Sequence, residues 1–396
     1  MRRQRLIFHI DVNSAFLSWT AVYLLKNGNE VDIRKIPSVI GGDPHNRRGV
    51  VLAKSEEAKK YNINTGETLF SAFRKCPNLR VESPYFDLYK RCSNAMINIL
   101  EEYTPLIQRY SIDECFLDFS NMEHIYKDYY TVAKEISKRI YRELGFTVNI
   151  GIGDNKLLAK MASDFEKPNK IHTLFKSEIK DKMWPLPIEK LFMVGTVSAK
   201  KLKNVNINTI GDLASCDKEF IQYLLKSHGI ILWEYAKGID KSPIINRDEV
   251  DIKSISNSTT TPHDIITEEE AIKVILGISE NVGRRIRQEG KKAFVISITL
   301  KNKDFISRGK QKMLVESTNC TETIFREACD LFKEFWIGEP LRLIGVGLSE
   351  LTKDSIEQLS FFSYEGKNKT ENLDKTMDTL RNKYGENSIK RSTLIK

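Results

Sequence analysis

Two stretches decide the reading of this chain: Ile7-Phe8-His9-Ile10-Asp11-Val12 and Tyr110-Ser111-Ile112-Asp113-Glu114-Cys115-Phe116-Leu117-Asp118. The first is an apolar run that ends in an acid, the pattern of a buried strand. The second falls in a span, 108–119, patterned as a hairpin, and carries two neighbouring acids. Adjacent residues on a strand face opposite sides, so Asp113 and Glu114 serve one site only if the chain bends between them. For an arbitrary pair of this kind the ordinary reading is one solvent-facing acid and one turn cap. Asp11 weighs against that reading, because an unpaired carboxylate beside buried strands is costly and a divalent cation is one way to compensate it. Three carboxylates from two strands suit two Mg²⁺ ions, the arrangement that clamps both oxygens of an in-line phosphoryl displacement. Spacing alone leaves both readings open.

Outward from these stretches, strands and helices mix without a strict βαβ repeat. Residues 13–26 read as a helix, with Ala15, Trp19, Val22 and Tyr23 at helical spacing. The segment from Gly41 to Gly49 is a turn-rich basic loop, 50–53 a strand and 55–61 a short helix. An amphipathic helix is expected over 88–103, a second helix over 131–144 and a strand over 147–152. Near Ile171 the texture changes to short helices, then 240–253 reads as a charged linker containing Pro243. A second mixed unit follows from Ser254, built around the β-branched run Phe294-Val295-Ile296-Ser297-Ile298-Thr299-Leu300. The pattern is that of an α+β, multidomain chain.

Composition sets the frame. The chain has 396 residues, 62 Lys plus Arg against 53 Asp plus Glu, and a net charge of +9. Two to three domains are expected at this length. A charged fraction of 29% and a hydrophobic fraction of 41% exclude wholesale disorder. No apolar run reaches the ~18 residues of a membrane span. His9 and Asp11 interrupt the opening apolar stretch, which is therefore read as a mature start rather than a signal peptide. Six dispersed cysteines with no CxxC pair argue against zinc and a disulfide scaffold, and for the cytoplasm. The positive charge is concentrated: ten basic residues against Glu289 and Asp304 between Arg284 and Lys312 give +8.

Further motifs carry a resemblance. Phe16 stands five residues after Asp11, Ser111-Ile112 precede Asp113-Glu114, and Gly151-Ile152-Gly153 lead into Leu158-Ala159-Lys160-Met161-Ala162-Ser163-Asp164 and Lys167-Pro168-Asn169. In that order they resemble the Y-family, or translesion, DNA polymerases, on the bacterial DNA polymerase IV branch, over nearly the whole chain to about residue 362. The resemblance implies a right-hand fold: palm 1–14 and 82–174, fingers 15–81, helix-hairpin-helix-like thumb 175–241, linker 242–253, little finger 254–355 and clamp-binding tail 356–396. It implies error-prone, template-directed addition of dNTPs to a primer, without proofreading, by a monomer acting on primer-template DNA.

By resemblance Asp11, Asp113, Glu114 and the backbone carbonyl of Val12 hold two Mg²⁺ ions, with Mn²⁺ as a substitute. Asn13 stands where the family often has another acid. Phe16 matches the steric gate that excludes a ribose hydroxyl. Where the family carries Tyr and Arg for the triphosphate, this chain has Glu56 and Lys59, so Ser55 and Lys59 are the expected dNTP contacts, with Lys167 as a second lysine. Lys59 acts as a point charge rather than a fork. The segment Val194-Gly195-Thr196 resembles a hairpin presenting backbone N–H groups, that of Gly195 included, to a DNA phosphate, although Met193 replaces an expected glycine. Arg284, Arg285, Arg287, Lys291, Lys292, Lys301, Lys303, Arg308 and Lys310 are expected to bind the DNA backbone. Gln358-Leu359-Ser360-Phe361-Phe362 resembles the sliding-clamp-binding pentapeptide, anchored by Gln358, Leu359, Phe361 and Phe362. The competing reading is a catalytically weak scaffold that keeps the DNA and clamp contacts.

Overall fold

The computed structural model describes residues 5–43, 49–122, 124–246, 251–353, 364–386 and 388–394. The pentapeptide 358–362 lies outside the described residues. The chain divides into two compact units, 1–42 with 50–250, and 43–49 with 251–396.

In the first unit the order is β1 (Ile7–Val12), α1 (Ala15–Lys26), β2 (Ser38–Gly41), β3 (Val51–Lys54), α2 (Glu56–Lys59), α3 (Leu69–Lys75), β4 (Arg80–Glu82), α4 (Phe86–Glu101), β5 (Ile107–Arg109), β6 (Glu114–Asp118), α5 (Tyr129–Leu144), β7 (Val148–Gly153), α6 (Lys156–Ser163) and β8 (Ile171–Leu174). The main sheet runs β5-β6-β1-β7-β8, antiparallel except for β7–β8. Its central strand β1 is buried along its whole length, and its two faces have different roles. Phe8, Ile10 and Val12 enter the large core with Tyr89, Met96 and Ile136 of α4 and α5. Ile7 packs with Phe116 and Ala159, on the side of α6. The period of two therefore sends His9 and Asp11 toward α6 as well.

A smaller sheet, β3-β2-β4, has its own core of Val39, Val51, Ala58 and Leu69. Helices α7 (Thr196–Lys203), α8 (Ile210–Ser215) and α9 (Lys218–Ala236) close a further core with Leu158, Met183 and Leu213. Lys226 breaks the helical geometry within α9.

The second unit comprises β9 (Ser254–Ile265), α10 (Glu268–Gln288), β10 (Lys291–Asn302), β11 (Ser307–Thr318), α11 (Thr321–Phe335), β12 (Leu341–Lys353) and α12 (Tyr364–Tyr384). Its sheet is antiparallel in the order β11-β10-β12-β9. Ile296, Ile298 and Leu300 of β10 face a core with Ile275, Ile324 and Phe332 of the helices. The alternate residues Ser297, Thr299 and Lys301 line an open groove with Ser256 and Ser258.

Candidate active site

Strand register brings two of the acids together, and a bend places the third beside them in the chain. Asp11 and Glu114 are direct partners in the β1–β6 register. Strand β6 begins at Glu114, so Asp113 lies in the bend before it, where its carbonyl accepts the Val12 N–H at 3.1 Å. The bend closes tightly, with Tyr110 and Ser111 N–H both donating to the Glu114 carbonyl. The two neighbouring acids thus escape strand alternation. The Asp113 carboxylate turns to the Ser111 hydroxyl, which donates to Oδ1 at 2.5 Å. Among the described residues, no three His, Cys, Asp or Glu side chains converge as a metal cluster.

Helix α6 supplies what the sequence did not single out. Asn155 caps it, accepting from the Leu158 N–H at 2.9 Å. It lies directly on β7 because two glycines leave room. A Cβ on Gly151 would stand 1.9 Å from the Ala159 carbonyl oxygen, and one on Gly153 2.8 Å from the Ala159 nitrogen. This closeness carries Lys160 under β1, where its Nζ is 2.9 Å from Glu114 Oε1, 3.5 Å from Asp11 Oδ2 and 3.4 Å from Asp164 Oδ2. One turn on, Ser163 Oγ is 2.8 Å from His9 Nδ1 and donates to the Lys160 carbonyl. His9 Nε2 lies 3.5 Å from Glu114 Oε2. Lys167 approaches from the following loop, 2.7 Å from Asp11 Oδ2 and 2.8 Å from Asp164 Oδ1.

The electrostatics follow from burial and these lysines. Burial lifts the Asp11 carboxyl to about 6, against the opposing pull of Lys167. Burial acts the same way on Glu114, but His9 and the Lys160 charge outweigh it and hold it at about 2. Burial pulls both lysines down, yet the facing carboxylates hold them above the usual ammonium value. Desolvation keeps the His9 imidazole below its ordinary value.

Asn13, placed where an acid was expected, is a connector. Its Nδ2 donates to Asn149 Oδ1 at 3.0 Å, and its Oδ1 accepts the Asn169 N–H at 2.9 Å. It thereby ties the end of β1 to the loop that carries Lys167. Phe16, on the first turn of α1, stacks on Tyr89 with ring centroids 4.4 Å apart and an interplanar angle of 7°.

Most of the side chains expected to bind dNTP and DNA have partners within the protein. Ser55 is buried and caps α2: its hydroxyl accepts from Ala58 and Ser38 N–H and donates its proton to the Ile36 carbonyl, leaving none for a phosphate. Lys59 is paired with Glu56 on the same turn. The basic window is not one free DNA-facing row. Arg287 is held by Asp374 and Asp378, and Arg284 by Glu386. Lys292 is buried, while Lys291 pairs with Asp251, Arg308 with Glu339 and Lys310 with Glu334. Helical and strand periods distribute neighbouring basic residues over different faces, and the acids that meet them come from distant sequence. Arg285 donates to the Ser256 carbonyl. Lys301 lines the open groove, and Lys303 is exposed in the β10–β11 turn. Gly195 is the N-cap of α7, and Met193 two residues before it keeps φ at +72°, the left-handed region that favours glycine.

The donor set can be tested for a divalent ion. Asp11 and Glu114 place carboxylate oxygens on a single cation, the Lys160 ammonium, and the Asp113 carbonyl is tied to the end of β1 by the Val12 N–H. These are hard oxygen donors, which fit Mg²⁺.

Comparison with known proteins identifies the family. Residues 10–164 match the impB/mucB/samB family, and residues 252–361 match the C-terminal domain of that family. DNA polymerase IV of Clostridium acetobutylicum is 50% identical over 99% of this chain and 98% of its own. DNA polymerase IV 2 of Bacillus subtilis is 36% identical over 100% of this chain and 96% of its own. A Y-family DNA polymerase chimera shares the fold, with a TM-score of 0.75 over 88% of this chain and 99% of its own, at 22% identity. The chain belongs to the impB/mucB/samB family.

Proposed function

We propose that this protein is a DNA-directed DNA polymerase that extends primers across damaged templates, acting as a monomer in the cytoplasm without a proofreading centre. The observation that supports it best is the meeting of Asp11 and Glu114 on β1 and β6, with Asp113 in the adjoining bend and two lysines beside them. The full-length relatives named DNA polymerase IV support the substrates, primer-template DNA and dNTPs.

Asp11, Asp113, Glu114 and the Val12 carbonyl would hold two Mg²⁺ ions, with Mn²⁺ as substitute. When bound, such ions lower the pKa of the attacking hydroxyl and neutralise the triphosphate. The remaining chemistry belongs to this chain. Lys167, partly exposed, is free to exchange Asp164 for a phosphate oxygen. Phe16 lies flat on Tyr89 and would present its ring to the sugar edge of an incoming nucleotide. Palm, fingers, thumb and little finger take the boundaries given above. Gly195, Arg285, Lys301 and Lys303 are the DNA-backbone contacts that the geometry supports. Gln358, Leu359, Phe361 and Phe362 engage a sliding clamp.

Primer extension with Mg²⁺ and dNTPs tests the reading. Wild type should extend a primer opposite a template and Asp113→Ala should not. No extension by wild type would favour a scaffold that binds DNA and clamp. Deleting residues 358–362 should reduce processivity with clamp and leave basal synthesis unchanged.

A further inference from the structure

Lys160 presents a problem that the proposed chemistry does not solve. A lysine is almost never buried unless paired, and this one is 7% exposed with three carboxylates within 3.5 Å. Its position is set by backbone rather than by its own flexibility, because Gly151 and Gly153 let α6 rest directly on β7. Lys167 differs in kind: its side chain is 34% exposed against 9% for Lys160, and it comes from a loop. Lys167 can therefore swing to an anionic substrate, whereas Lys160 stays under the strand.

We infer that Lys160 is a positioning residue whose ammonium group holds Asp11 and Glu114 together and competes with a divalent cation for their oxygens. Glu114 is gripped by Lys160 on Oε1, while Oε2 faces His9, itself fixed by Ser163 one turn along α6. The cluster Asp11, Glu114 and Asp164 against Lys160 and Lys167 carries 2 − 3 = −1. Without Lys160 it carries −2, so an incoming cation meets a stronger field. Lys160 thus keeps the carboxylates converged before a metal arrives, and moderates how tightly the metal is held. The inference rests on Asp11 and Glu114 being metal ligands.

The test uses full-length protein with Mn²⁺ alone, without DNA or nucleotide, at low ionic strength, measuring free Mn²⁺ by electron paramagnetic resonance. Lys160→Met should bind Mn²⁺ about tenfold more tightly than wild type, and should unfold at a lower temperature in EDTA with a larger rise on adding Mn²⁺. Lys160→Arg, which keeps the charge, should stay within about threefold of wild type. Unchanged or weaker Mn²⁺ binding by Lys160→Met overturns the inference, as does Lys160→Arg binding as tightly as Lys160→Met. Asp11→Asn/Glu114→Gln separates the two layers. Loss of Mn²⁺ binding there upholds the ligand assignment, and wild-type binding there overturns that assignment itself.

Discussion

Asp374→Ala isolates the part played by the C-terminal helix in the second unit. Asp374 is 3% exposed, and its Oδ2 accepts the Thr321 N–H at 2.7 Å and Arg287 Nη1 at 3.1 Å. Helix α11 begins at Thr321, and its N-cap residue, Cys320, provides no side-chain cap. The tail therefore supplies the acceptor that α11 lacks and a counter-ion for an arginine whose side chain is 12% exposed. Breaking a buried ion pair costs about 3–5 kcal/mol. The lower end applies, because Arg287 keeps Asp378, the Asn319 carbonyl and Thr321 Oγ1. The lost cap adds about 1 kcal/mol, so local stability should fall by about 3–4 kcal/mol. At 1.4 kcal/mol per tenfold, 3 kcal/mol corresponds to roughly 150-fold faster amide exchange in α11. Hydrogen exchange read peptide by peptide in the full chain localises the effect, and Asp374→Asn should fall between the variants because its amide still accepts a hydrogen bond. Exchange over 321–335 changed by less than about threefold would refute the coupling of tail to helix.

Other outcomes follow from the same geometry. Gly151→Ala forces a Cβ to within 1.9 Å of the Ala159 carbonyl, and should lower the midpoint of thermal unfolding by about 5 °C or more as α6 lifts from β7. Phe16→Ala should reduce discrimination against ribonucleotides by roughly 10²-fold, read from competing single-nucleotide insertions; unchanged discrimination would remove Phe16 from the sugar pocket. Lys301→Ala/Lys303→Ala should flatten the slope of log DNA affinity against log salt by about 1.8. Arg284→Ala/Arg287→Ala should leave that slope near wild type, since both guanidiniums are occupied by tail carboxylates.

Much of the architecture was legible in the chain. The strand ending at Asp11, the hairpin around Asp113-Glu114 and the helix after Asn13 all occur within a residue or two of their patterns. These are local signals: alternation, helical spacing and a bend are dictated by residues close in sequence. The basic window between Arg284 and Lys312 shows where such reading stops. Its charge is real, but Asp251, Glu327, Glu334, Asp374, Asp378 and Glu386 fold back onto it. Ser55 makes the same point on a smaller scale, as a hydroxyl that looked free in sequence and closes the turn between β3 and α2.

The sequence by itself determined which groups could do chemistry: three carboxylates at apolar strand ends, a phenylalanine five residues on and a lysine-rich stretch after a Gly-Ile-Gly strand. Tertiary structure alone decided which of them meet. Asp11 and Glu114 are 103 residues apart and become neighbours through strand register. Lys160 reaches them because two glycines let a helix settle onto the sheet. Charge and hydrogen-bonding capacity are properties of a residue type, and so can be read from the chain. Whether a charge is satisfied depends on what lies within about 4 Å, and only the folded backbone sets that distance.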